Sequence, residues 1–93
     1  MANSKHVLSD QEQLEAVIRR VKRAQGQIAG VVKMLEEQRS CEEIVHQMSA
    51  VGKAMNTAAV TLIAANLREC FVNPKRSAKS DIERLEKLFT SIA

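Results

Sequence analysis

CEEIVHQMSAVGKAMNTAAVTLIAANLREC, residues 41–70, is the stretch that decides the fold. It has no proline, its one glycine is Gly52, and it begins and ends on the only two cysteines of the chain. Such a composition reads as one continuous helix. At about 1.5 Å rise per residue, that helix holds the Cys41 and Cys70 sulfurs roughly 43 Å apart. They therefore cannot act together within one subunit. An antiparallel pair of these helices from two subunits brings Cys41 of one chain beside Cys70 of the other, twice. The spacing suggests a thiol site that exists only in an oligomer.

The boundaries of this helix are written nearby. Ser40-Cys41-Glu42-Glu43 fits a capping box, in which the Ser oxygen accepts from a backbone N–H. Asn73-Pro74 ends the helix near Val72, because proline disfavours helical geometry in the residue before it. Ile44, Met48, Val51, Met55, Leu62 and Ile63 supply apolar positions. Ala54, Ala58, Ala59, Ala64 and Ala65 keep the helix thin enough for close packing.

Upstream, Ser9-Asp10-Gln11-Glu12 is another capping box, so a first long helix is predicted from Asp10. Leu14, Val21, Ile28 and Leu35 recur every seven residues, with Val17, Ala24 and Val31 between them, the pattern of a helix–helix seam. Gly26 and Gly30 each weaken the helix by about 1 kcal/mol relative to Ala and admit close approach of another backbone. The pattern stops around Gln38 and Arg39. Downstream, residues 74–79 form a basic loop. A short third helix follows, capped by Ser80 with Glu83 or starting slightly earlier, with Ile82, Leu85, Leu88, Phe89 and Ile92 as its apolar stripe. The expected fold is all-α: one domain over 1–93 with two long helices, a short third one and a flexible head over residues 1–9.

Composition agrees. Glycine and proline are scarce (Gly 3, Pro 1), there is no Trp or Tyr, and the only aromatics are two Phe in 93 residues. A helical chain this short buries a limited core alone and gains by oligomerising. No apolar run approaches the roughly 18 residues of a membrane span, and residues 1–9 carry no signal-peptide core. Two cysteines without a secretion signal suggest the reducing cytoplasm. No Ser-His-Asp set, carboxylate pair or phosphate loop appears, so an enzyme is not expected. The net charge is only +3, but Arg19, Arg20, Lys22 and Arg23 fall within five positions. That cluster is either a polyanion-binding surface or a solvated helix face. Lys75, Arg76 and Lys79 add a basic loop that reads more simply as solvated. Without interleaved aromatics, stacking on single strands is not indicated.

Cys41 falls in the first turn of its helix, where unpaired N–H groups and the helix dipole favour an anion. A thiolate is both the better nucleophile and the form that binds soft metals. Cys70, near the helix end, suits a second, resolving thiol, or simply packs beside Leu67 and Phe71. A Cu(I) site wants a further soft ligand, but the residue one turn before Cys70 is Asn66. His46 points away from Cys41 on a helix, and His6 lies in the head, from which it could fold over a site.

Arg20-Val21-Lys22-Arg23-Ala24-Gln25-Gly26-Gln27-Ile28, then Cys41, then Gln47-Met48-Ser49-Ala50-Val51, then Asn66-Leu67-Arg68-Glu69-Cys70, resembles the CsoR/RcnR/FrmR family of bacterial repressors over nearly the whole chain. The resemblance implies a dimer of dimers, binding to double-stranded operator DNA without a helix-turn-helix, and release of the DNA when an inducer reacts at an intersubunit cysteine site. It carries Arg20, Arg23 and Gln27 over as DNA-contacting positions, flanked by Arg19 and Lys22, with Lys53 as a further candidate. Copper sensors of the family resemble one another in a Cys, His, Cys set. Here Cys41 and Cys70 match the sulfurs, and Asn66 stands where the histidine would be. The histidines of nickel and cobalt sensors are missing here, and formaldehyde sensors do not have the second cysteine. Cys, Asn, Cys looks most like the persulfide-sensing members, in which a bridge of two to four sulfurs would join Cys41 to the neighbour's Cys70. A small reactive sulfur species is then the inducer and no cofactor is needed. The alternative is a Cu(I) sensor using Cys41 and Cys70 as metal ligands.

Overall fold

Asp10 starts the first helix: its backbone is extended, and its carboxylate accepts from the Gln13 amide at 3.2 Å. The computed structural model describes residues 6–72 and 79–92. It contains α1 (Gln11–Glu36), α2 (Cys41–Val72) and α3 (Lys79–Ile92), and no strand among the described residues. The all-α, three-helix reading holds. The cap of α1 lies one residue later than expected, on Asp10 rather than Ser9. Pro74 and the basic side chains of Lys75 and Arg76 lie outside the described residues.

The turn between the long helices is closed by hydrogen bonds rather than by glycine. Arg39 N–H donates to the Met34 carbonyl at 3.0 Å and Gln38 N–H to the Leu35 carbonyl at 3.1 Å. Gln38 sits at φ 54°, in the left-handed region. This is a Schellman ending with glutamine where glycine is usual. Ser40 then caps α2 by accepting from the Glu43 amide at 3.2 Å. The Glu43 carboxylate takes the Arg39 guanidinium at 2.6 Å instead of reaching back, so half of the expected box forms.

α1 folds back along α2. Val17 and Ala24 from α1, and Ile44, Ala58 and Ala65 from α2, are buried. α3 covers the far end of α2, where Ile63, Cys70 and Leu85 form a core against which Leu67, Ile82 and Ile92 pack. The heptad seam is divided. Its Val17–Ala24 row is buried within the subunit, whereas Val21, Ile28 and Leu35 remain 40%, 48% and 55% exposed. One partner helix can cover only one side of a two-row seam. Met48 and Met55 of α2 are exposed as well, and Ile28, Val31, Met48, Val51 and Gly52 line an apolar groove of about 300 Å³. Within the subunit nothing lies within 4 Å of where a Cβ would stand on Gly26 or Gly30, so α2 does not use the close approach these glycines permit.

The left-handed Gln38 predicts a direct gain from glycine. The strain on a side chain there, about 1–2 kcal/mol, exceeds the unfolded-state entropy that glycine adds, about 0.5–1 kcal/mol. Gln38→Gly should raise stability by roughly 0.5–1 kcal/mol, read as a higher midpoint in urea denaturation. An unchanged or lower midpoint would contradict the turn geometry.

Candidate functional site

Cys41 is the first residue of α2 and is exposed. Cys70 lies about eight turns away along the same uninterrupted 32-residue helix and has 0% exposure. Both are free thiols. Their separation of about 43 Å follows from the helix rise. Leu67 packs on the core around Cys70, but Phe71 faces outward. Asn66 is buried one turn before Cys70, and its side-chain N–H donates to the Leu62 carbonyl at 2.7 Å.

No group of three or more His, Cys, Asp or Glu among the described residues is placed to hold a metal ion. The donors of a single chain therefore do not fit a metal, and an amide tied to its own helix adds no soft ligand. His46 is exposed, and its Nε2 lies 3.8 Å from a carboxylate oxygen of Glu42 one turn earlier.

The head behaves differently from its expected role. From His6 onward it is held against the end of α2. Glu69 accepts from the Ser9 amide at 3.0 Å and from the Asp10 amide at 2.6 Å, and its Oε1 lies 3.1 Å from His6 Nε2. Leu8 is buried. Glu69 thus fills the place that Glu12 was expected to take, satisfying the backbone N–H of the cap residue from another helix. The Ser9 amide first, then Asp10 and His6, hold the Glu69 carboxyl down from an ordinary 4.5 to about 2. The cleft between the head and α2 has about 300 Å³ and is lined by His6, Asp10, Gln13, Arg68 and Glu69, among others. No local signal in the sequence pointed here, because the amides that Glu69 accepts from lie about sixty positions away.

Arg19, Arg20, Lys22 and Arg23 are all exposed on α1, and Lys53 is exposed on α2. None of them forms an ion pair among the described residues. Their charge faces solvent. Gln27 does not share that exposure. It is half-buried, and its Oε1 is sealed from solvent without a hydrogen-bond partner. Lys79 is the exposed first residue of α3.

Comparison with known proteins adds the family. The model of the metal-sensitive transcriptional repressors matches residues 13–91. The copper-sensing transcriptional repressor RicR of Mycobacterium tuberculosis is 32% identical over 63% of this chain and 62% of its own length. The copper-sensing transcriptional repressor CsoR of Bacillus subtilis is 31% identical over 72% of this chain and 66% of its own. The match thus spans just under two thirds of these two relatives. The transcriptional repressor RcnR of Citrobacter koseri is 30% identical over 92% of this chain and 94% of its own length. No solved structure matches significantly. The chain belongs to the metal-sensitive transcriptional repressor family, a family of repressors rather than enzymes. Among the described residues no helix is long and apolar enough to cross a membrane.

Glu69 gives the head a defined pH dependence. Its carboxyl is more acidic folded than unfolded, so the ionised form stabilises the fold fully above about pH 4.5, and that contribution is lost as pH falls towards about 2. Across that window the urea midpoint of the wild type should fall more steeply than that of Glu69→Gln. Parallel curves would show that Glu69 is not the group responsible.

Proposed function

We propose that this family member is a cytoplasmic repressor. It binds double-stranded operator DNA through the basic part of α1 and releases it when a small inducer reacts at Cys41 of one subunit and Cys70 of its neighbour. The observation that carries the reading is the position of two thiols at opposite ends of one unbroken helix. They can meet only between subunits. The uncovered row of Val21, Ile28 and Leu35, continuous with the groove at Met48 and Val51, supplies an apolar face for an antiparallel partner. A dimer of dimers, as the resemblance implies, repeats the unpaired arginines across the assembly, and their charge suits phosphate.

For the inducer we favour reactive sulfur, with Cys41 as attacking thiol because it is exposed and Cys70 as resolving thiol because it is buried. The Cys41 thiolate attacks the terminal sulfur of an organic persulfide; the S–S bond breaks and the organic thiolate leaves. Cys41 now carries the extra sulfur. The neighbour's Cys70 thiolate attacks the inner sulfur, hydrosulfide leaves, and a disulfide joins the chains. The persulfide is the oxidant, and the two thiol protons are taken up by the departing organic thiolate and hydrosulfide. Asn66 supports this reading, because it leaves a dithiol without a third soft ligand. The second reading is Cu(I) as inducer, favoured by the names of the relatives that match at 31–32% identity.

Mixing Cys41→Ala and Cys70→Ala chains tests the intersubunit site. Each variant alone lacks the pair, whereas a mixed dimer regains one. After persulfide treatment a covalent dimer should appear in the mixture only, by intact-protein mass spectrometry. A covalent dimer in neither sample, with the wild type giving one, would remove the pairing. In gel shifts, persulfide, Cu(I) and formaldehyde are applied separately to reduced wild type and to Cys41→Ala. Persulfide should release DNA from the wild type alone. Release by Cu(I) with no effect of persulfide would select the copper reading, and release by formaldehyde alone would reject both.

The DNA face has its own test. Arg20→Ala and Arg23→Ala should each weaken operator binding and lower the slope of log affinity against log salt by about one. Normal binding by both would displace the interface from α1. Gln27→Ala separates the contact carried over by resemblance from the packed position that its sealed oxygen indicates: weakened affinity with unchanged stability keeps the contact.

A further inference from the structure

The contacts around Glu69 join the turn that carries Cys70 to the first residues of the helix that carries the arginines. We infer that Glu69 is a positioning residue: its carboxylate latches the start of α1 to the last turns of α2, and displacement of the Cys70 turn opens the latch and frees α1. The inference deepens the function proposed above and rests on it for its link to DNA release.

The geometry makes the latch sensitive to Cys70. That side chain has no exposed surface and sits among Ile63 and Leu85, with Leu67, Ile82 and Ile92 around them. An added sulfur atom, or a bond to a neighbouring chain, does not fit such a site without moving the turn or α3, since packed interiors resist even a single extra group. Glu69 is the next residue on that turn. It receives two backbone N–H groups, Ser9 at 3.0 Å and Asp10 at 2.6 Å, and hydrogen bonds of this kind fail within a fraction of an ångström to about one ångström of stretch.

The other end of the latch is the cap of α1. Asp10 accepts from the Gln13 amide while its own N–H is held by Glu69. Once Glu69 withdraws, the Asp10 N–H loses its acceptor, while the internal cap on the Gln13 amide remains. His6, with its side chain 5% exposed, loses the carboxylate it faces. The basic cluster begins nine residues beyond Asp10, roughly 14 Å along a rigid helix. A change in how the start of α1 is held is therefore delivered to Arg19 and Arg23 without an intervening hinge.

The first readout does not depend on the inducer. In a Cys41→Ala chain Cys70 is the only thiol, and N-ethylmaleimide can be placed on it alone. Amide hydrogen exchange at residues 9–14 should then rise about tenfold, while exchange at the turn around Gln38 stays unchanged. Glu69→Ala should show the raised exchange before alkylation and no further rise after it. Glu69→Gln, which keeps an acceptor oxygen, should fall between. Unchanged exchange on alkylation, or wild-type exchange in Glu69→Ala, overturns the latch. The second readout is the ratio of DNA dissociation constants for the persulfide-treated and reduced protein. Glu69→Ala should cross-link as fully as the wild type, yet its ratio should shrink at least about fivefold, a change that a general loss of stability does not produce. An equal ratio in both overturns the latch. A wild type that keeps its DNA after cross-linking overturns the proposed function instead, leaving the latch to be judged by exchange.

Discussion

The unbroken course of α2 is the constraint on which the rest depends. A helix of 32 residues without an internal proline is a strut. It fixes the ends of the molecule relative to each other and denies the two thiols any meeting inside one chain. It also supplies both packing surfaces, one for α1 along its length and one for α3 at its end. Every reading of the chemistry begins from that separation.

The second constraint is incomplete coverage. A hairpin of two long helices can bury one row of each and no more. Here the buried rows are alanine-rich and thin, which keeps α1 and α2 close, and the larger side chains Ile28, Leu35 and Met48 are left outside. The chain forms three helices and leaves part of its apolar surface exposed. The arginines of α1 have no acidic partner among the described residues. A chain with 14 basic and 11 acidic residues could have paired most of them. The structure instead uses its carboxylates at helix ends: Asp10 on the Gln13 amide, Glu69 on the head, and Glu43 on Arg39 at the turn.

Most of the fold was legible because it is written locally. The α2 boundaries follow from Ser40 and Asn73-Pro74, and α3 from a short apolar stripe. The heptad identified α1 as a packing helix. It could not say which row faces the subunit's own α2, because a period reports a stripe and not its neighbour. The turn was seen only as a break in the pattern, since the usual glycine is replaced by Gln38. Asp10 was mistaken for the first helical residue because Ser9 and Glu12 make the local box, while the acceptor that decides the matter lies about sixty positions away. Gln27 was placed with Arg20 and Arg23 by the family resemblance. The helical angle between them is small, but a short amide turns into the α1–α2 contact where long guanidinium side chains reach past it. The thiol spacing needed only the helix rise. The enclosure of Cys70 needed α3, whose contact with Ile63 no local signal announces.

That enclosure has a chemical consequence beyond geometry. A sulfur with no solvent-facing surface is met only by what its wall of aliphatic side chains admits. Girth and polarity then become criteria of selection, independent of intrinsic reactivity. A bulky charged carrier of oxidising equivalents has to displace Leu85 and its neighbours to reach the sulfur. A slender, weakly solvated reagent displaces less of that packing. Hydrocarbon packing thereby adds a steric cost to any reaction at this sulfur.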